Sequence, residues 1–156
     1  MERERTSRIL LLALLASMAI GVASAADPRG GPTPVAVNGS YAVTFNVRVP
    51  ASLPSGTTIL CKARVAPNAP RLGSLRLAST PMSNGQASVA GSTANCQVQI
   101  PFSWTVNDPQ NGVALSYEID AVSASGALPV AVIRQEAIAS YPAAGTSANL
   151  RFQLAF

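Results

Sequence analysis

The amino-acid sequence predicts one all-β domain, a single Ig-like antiparallel β-sandwich of about seven to eight strands with one disulfide. After residue 25, apolar and polar residues alternate in several short segments, as they do along half-buried strands. Glycine, proline, asparagine and aspartate separate these segments, and no apolar repeat of helical period appears. Short strands at this spacing are typical of a two-sheet sandwich.

The first 25 residues have the three-part organisation of a cleavable signal peptide. Arginines give a positive start, residues 9–20 are apolar except for one serine, and Ala23-Ser24-Ala25 precedes Ala26. As a helix the apolar stretch would span roughly 18 Å, short of the ~30 Å of a bilayer core. We therefore expect cleavage between Ala25 and Ala26. The mature chain is expected to be periplasmic or secreted, with no stable membrane insertion.

Glycine and proline dominate residues 26–39, which we expect to be a flexible leader before a sandwich domain at 40–156. Asn84-Gly85 is expected in a hairpin turn between two short strands. Pro129 and a slip in the alternation around it indicate an edge strand or a bulge. The segments predicted as strands are 41–49, 59–65, 75–78, 87–90, 96–106, 113–121, 128–138 and 148–156.

The chain contains two cysteines, Cys61 and Cys96, and in an exported protein such a pair favours a disulfide. Both occupy the apolar side of an alternating segment, so both thiols should point into the core. A bridge between them should stabilise the fold by roughly 3–4 kcal/mol in the chain-entropy model. A redox-active pair is the alternative, although the sequence has no C-x-x-C motif and reactive thiols are usually exposed.

Composition restricts the chemistry that the chain can perform. It has no histidine, which removes the commonest general base and the commonest zinc and copper ligand. Phosphate-binding and nucleophile motifs rich in glycine are missing too. The net charge of +4 is scattered, and nucleic-acid binding usually needs a clustered basic surface. We therefore expect no enzyme activity, no cofactor, no metal and no nucleic-acid partner.

Two polar groups leave alternatives open. Glu118 and Asp120 lie on the polar side of one predicted strand, as expected for a solvated face, but a carboxylate-dependent hydrolase would show the same pair. Asn107, Asp108 and Asn111 carry oxygen atoms that calcium prefers, although one carboxylate is few for such a site.

The C-terminal segment 148–156 alternates up to a final phenylalanine. A small outer-membrane β-barrel ends in the same way, and this is a further alternative. Such a barrel also needs longer strands and girdles of aromatic residues, whereas prolines interrupt the middle of this chain. The last core strand of a sandwich is the simpler interpretation.

Several short motifs resemble the pilotin-like lipoprotein family associated with type III secretion. They are Leu53-Pro54-Ser55-Gly56, Ile100-Pro101-Phe102, Asp108-Pro109 and Tyr117, and the similar region covers about residues 41–140. The resemblance implies a periplasmic β-sandwich that binds or assists an envelope protein. This chain differs from the family in having no cysteine after the expected cleavage site and in carrying a cysteine pair.

Together these features predict an exported, non-enzymatic β-sandwich that binds a protein partner, as an accessory protein of the bacterial envelope. The partner would be bound by a sheet face or by an open sheet edge; strand addition needs a free edge, and the candidate edges are the segments 41–49 and 148–156. A pilus or surface structural subunit is the alternative, and the sequence leaves the oligomeric state open.

Overall fold

The structure, a computed structural model, describes residues 33–68, 79–126 and 129–156. Seven β-strands run through these residues, with a short 3-10 helix at Pro109–Asn111. The expected signal peptide, its cleavage site at Ala25 and Ala26, and the strand expected at 75–78 lie outside the described residues. The strands are β1 (Val35–Arg48), β2 (Thr58–Pro67), β3 (Ser83–Ser88), β4 (Thr93–Val106), β5 (Val113–Val122), β6 (Pro129–Ala139) and β7 (Ser147–Ala155).

The strands form two sheets, one ordered β4-β1-β7 and the other ordered β3-β2-β5-β6. This confirms the predicted all-β sandwich. One pair departs from the antiparallel pattern, because β7 runs parallel to β1. The chain crosses from β6 in one sheet to β7 in the other, and it enters the second sheet in the direction of β1.

The core lies between the two sheets and is built by β1, β2, β4 and β5. Inward and outward positions alternate along all four, as the period-two pattern predicts. Pairs of aromatic rings lie across this core, for example Phe45 of β1 and Tyr117 of β5 with ring centroids 5.0 Å apart. The largest fully buried side chains include Tyr41, Phe45, Ile59, Ile100, Leu115 and Ile119.

The predicted disulfide is present between Cys61 of β2 and Cys96 of β4, and no described cysteine is free. Both residues are fully buried, and their Cα atoms lie 6.3 Å apart, within the usual range for a bridge. Since β2 and β4 belong to different sheets, the bridge ties the two layers together.

The hairpin turn expected at Asn84-Gly85 is wrong. Both residues lie inside β3, where Gly85 pairs with Cys61 of β2. A Cβ atom at Gly85 would overlap the carbonyl oxygen of Gln97 on β4 and would lie 3.3 Å from the Cys96 Sγ. The glycine is therefore used for close approach of two backbones beside the disulfide, and not for a turn.

The structure confirms the expected turn and the expected irregularity near Pro129, and it places the start of the first strand earlier than predicted. The turn at 53–56 separates β1 from β2, and the register of β5 with β6 slips between Ala121 and Val122, which is the irregularity expected near Pro129. β1 already begins at Val35, so the end of the predicted leader 26–39 belongs to the first strand.

One of the two edges predicted for strand addition is wrong. β1, which contains most of segment 41–49, is the central strand of its sheet, with β4 on one side and β7 on the other. Its clean alternation reflects burial of one face and carries no information about lateral position in the sheet. The segment 148–156 does form an edge strand, β7, among the strands that the structure describes.

Candidate functional site

The sandwich is closed along one side. There β4 lies against β2 and β3, where the Cys61–Cys96 bridge joins the sheets and Gly85 allows the backbone of Gln97 to come close. Within its own sheet, β4 stays paired with β1 past the end of the strands, where Val49 N–H donates to the Ser92 carbonyl at 2.8 Å. Among the described residues, no disulfide joins the other pair of edges, β6 and β7.

On that second side, β7 pairs with β1 along its length and contributes the aromatic ring of Phe152 to the core. Its ring lies 5.6 Å from that of Phe45 on β1 and 5.0 Å from that of Tyr117 on β5. The Tyr117 hydroxyl in turn donates to Gln135 Oε1 of β6 at 2.6 Å. This cluster of aromatic rings therefore fills the space between the two sheets just inside the free edges.

The inward side of β7 is incompletely covered. In the register of the sheet, Leu150 pairs with Val43 and Phe152 pairs with Phe45, but the β1 residues are fully buried whereas the β7 residues are half-buried. A strand side chain at the same depth in the core should be equally covered if both neighbours are present. The half-buried apolar residues of this segment are Ala148, Leu150, Phe152, Leu154 and Phe156.

The same side of the facing sheet is also partly open. β6 turns Ala131, Ile133 and Ala139 toward the core, and all three are only half-buried. Among the described strands, the β7 sheet has three and the β6 sheet has four, so the first is one strand narrower. A fourth strand added beside β7 would lie over β6 and cover both sets of side chains. We call this place, bounded by β7 and the inward side of β6, the open edge.

A second polar feature lies on the outward face of the four-stranded sheet. Lys62 of β2, Glu118 of β5 and Arg134 of β6 are neighbours in one cross-strand row. The Lys62 Nζ lies 2.9 Å from Glu118 Oε1 and 2.6 Å from Asp120 Oδ2, and the Arg134 Nε bonds the other Glu118 oxygen. We call these four residues the ion-pair row.

Charge pairing shifts the protonation of the row. The Arg134 guanidinium and then the Lys62 ammonium lower the pKa of Glu118 to about 2. Hydrogen bonds to Asp120 and Glu118 raise the pKa of Lys62. A general acid works best with a pKa near the operating pH, so an ionised Glu118 is poorly suited to protonate a leaving group.

The expectation that both carboxylates lie on a solvated face is wrong for Asp120, which is 2% exposed. In the register it lies between Leu60 of β2 and Val132 of β6, two apolar neighbours. Its Oδ2 atom accepts from Lys62, whereas its Oδ1 atom has no hydrogen-bond partner among the described residues. Both carboxylates are thus ion-paired, Asp120 with Lys62 and Glu118 with Arg134 and Lys62.

The structure separates the other residues that the sequence singled out. The 53–56 turn precedes β2, whereas Asp108 and Asn111 lie near the far end of β2, where Asn68 N–H donates to the Gly112 carbonyl. The motifs 100–102 and Tyr117 lie within β4 and β5. Within residues 33–68, 79–126 and 129–156, no group of three or more cysteine, aspartate or glutamate side chains is placed to hold a metal ion.

Sequence reasoning missed the pairing of Lys62 with Asp120 and the exposed apolar residues of β6. The residues near each of them in the sequence do not indicate either feature, because both depend on which strands are neighbours in the sheet and on the register of their pairing. Across the same described ranges, no helix has the length and apolarity needed to cross a membrane.

Taken together, the described residues form a disulfide-linked two-sheet sandwich that is closed on one side and open on the other. Comparison with protein-family models, with curated proteins and with solved structures finds no match for this chain. The case for its function therefore depends on its own residues.

Proposed function

We propose that the chain is an exported, non-enzymatic protein-binding domain, an accessory protein of the bacterial envelope, and that it binds its partner at the open edge. The partner would supply an extended segment that adds a strand beside β7. The half-buried apolar side of β7, next to a wider facing sheet, is the observation that carries this proposal.

Strand addition explains how such a segment is held. The outer edge of β7 offers backbone N–H and C=O groups to a new neighbour, and alternate side chains of that neighbour point into the core. Covering Leu150, Phe152 and Leu154 on one side and Ile133 on the other removes apolar surface from water. We therefore expect a segment with apolar residues at every second position.

Site-specific photo-crosslinking tests the proposal in cells that export the protein. A photoreactive residue at Gln153, exposed on β7, should give one discrete protein adduct, whereas the same residue at Gln99, exposed on the other edge strand β4, should not. Mass spectrometry of the purified chain should also show Ala26 as the first residue and an oxidised Cys61–Cys96 pair.

Matched variants show whether the adduct depends on the open edge. Leu150→Lys places a charge on the inward side of β7, which opposes strand addition, whereas Asn149→Lys places the same charge on the exposed side. The first should abolish the adduct and the second should retain it. An adduct that survives Leu150→Lys in a folded protein, or equal adducts from β4 and β7, would refute this binding mode.

A pilus or surface structural subunit is a second candidate that the open edge also favours, since such a subunit can receive a strand from the next copy. The two differ in assembly. A subunit gives open-ended polymers, visible as a ladder of sizes in size-exclusion chromatography, whereas an accessory protein gives one defined species.

A further inference from the structure

The second free edge on the open side, β6, has a different character from β7. It is 11 residues long and ends the four-stranded sheet among the described strands. On its outward side Val132 is 41% exposed and Ile138 is 60% exposed, and the charged Arg134 and Glu136 lie between them. A long edge strand with exposed apolar residues is a place where another strand pairs, unless its charges prevent it.

The charges on β6 favour pairing with a second copy of the same strand. Two antiparallel copies centred on Gln135 bring Arg134 of one copy opposite Glu136 of the other, twice. The same register brings Val132 opposite Ile138, so that charge meets opposite charge and apolar meets apolar. The arrangement is isologous, as a two-fold symmetric dimer requires.

Neighbouring registers lose this complementarity. Centring the pair on Arg134 places two arginines face to face, and centring it on Glu136 does the same with two glutamates. A shift by one residue sets outward side chains against inward ones. The register centred on Gln135 is therefore favoured by both charge and face.

The pairing also extends the ion-pair row. Within one copy, Lys62, Glu118 and Arg134 alternate in sign across three neighbouring strands. Glu136 of the second copy would come next in that row, on the free side of Arg134, whose side chain is 72% exposed. Arg134 would then have one carboxylate on each side, which suits the several donors of a guanidinium.

We propose that β6 is a homodimer interface in which two copies pair antiparallel about Gln135 and merge their four-stranded sheets. This inference is independent of strand addition at β7, because it uses the other free edge and a different occupant.

Sedimentation velocity of the natively exported, oxidised protein over a dilution series tests the interface. The unmodified chain should dimerise and should stop at the dimer. Glu136→Arg and Arg134→Glu should each raise the dissociation constant by at least about tenfold, because each places like charges face to face. An equimolar mixture of the two variants should form a heterodimer, since the charges then match again.

Controls separate this result from misfolding and from the β7 proposal. Arg151→Glu, which reverses an exposed charge on β7, should leave the dimer unchanged, and so should Leu150→Lys. Thermal melting of each variant establishes that it is folded. Loss of dimer in either β7 variant, or a mixture that stays monomeric while both of its components are folded, would overturn the proposal.

Cysteine crosslinking reads the register directly and does not depend on the charge variants. Val132→Cys mixed with Ile138→Cys should form an intermolecular disulfide under mild oxidation, because these positions face each other. Val132→Cys alone should not, since each copy then offers Ile138 at the facing position. A monomeric unmodified protein, or crosslinking that is equal in the mixture and in the single variant, would show that the β6 register is not used.

Discussion

Replacing Lys62 by methionine should destabilise the fold far more than removal of a surface charge normally does. Lys62 is the only described hydrogen-bond partner of the Asp120 carboxylate, at 2.6 Å, and Asp120 is 2% exposed. Breaking a buried ion pair by removing one partner costs about 3–5 kcal/mol, because the other charge stays buried without compensation. The Lys62 side chain is 34% exposed, so we take the lower end, about 3 kcal/mol.

Urea unfolding and thermal melting measure this loss. For a domain of this size, about 3 kcal/mol corresponds to a fall of roughly 10 °C in Tm. Arg64→Met is the matched control, because Arg64 lies on the same strand and the same face, is exposed, and makes no salt bridge within the described residues. Its loss should stay within about 0.5 kcal/mol.

A second substitution tests the mechanism of that loss. If the cost comes from a buried negative charge left without a counter-charge, Asp120→Asn should lower the free energy of unfolding less when Lys62 is already methionine than when Lys62 is present. Additive effects of the two substitutions, or equal losses for Lys62→Met and Arg64→Met, would refute the argument that Lys62 neutralises Asp120.

Three further predictions concern stability. The pKa of Glu118 falls from 4.5 to about 2 on folding. Its contribution to the free energy of unfolding is therefore complete above about pH 4.5 and is lost as the pH falls toward 2. In urea titrations at pH 3 and pH 6, Glu118→Gln should remove about 1–2 kcal/mol of this acid dependence. Replacing both Cys61 and Cys96 by alanine should lower the free energy of unfolding by about 3–4 kcal/mol, with no further effect of reductant. Gly85→Ala should cost about 1–3 kcal/mol through its overlap with Gln97, whereas a cost below about 0.5 kcal/mol would show that the two backbones are not in contact.

The positions of the strands were predictable from the sequence where one face of the strand is buried and the other is exposed to solvent, because the pleat turns alternate residues to opposite sides. β1, β2, β4 and β5 satisfy this condition, and their bounds follow the alternation closely except at the start of β1, which begins at Val35. β3 does not, because Ala87 is its one apolar side chain and Asn84-Gly85 gives a strong local turn signal. Its strand structure is decided by its pairing with β2, which lies 20 or more positions earlier in the sequence, for example Gly85 with Cys61.

The candidate site was less predictable than the fold for the same reason. The sequence places Glu118 and Asp120 on one face, but their different burial depends on the neighbours that β2 and β6 supply. Lys62 and Asp120 are 58 positions apart in the sequence, and the residues around each of them do not indicate that they are in contact. Edge position has the same origin, since β1 and β7 alternate equally well and only the sheet order distinguishes them.

The position of the disulfide explains why the sandwich is open on one side only. The bridge fixes β4 over β2, and Gly85 lets β3 approach the same strand, so the three-stranded sheet is drawn toward that side of the wider one. The uncovered width then falls at the opposite side, over β6. The disulfide thus stabilises the side of the sandwich where no partner is proposed to bind. On the opposite side, the apolar residues of β7 remain uncovered. If the open edge arises from this offset, loss of the bridge should loosen β3 and β4 first, and hydrogen exchange should rise there before it rises in β5 and β7.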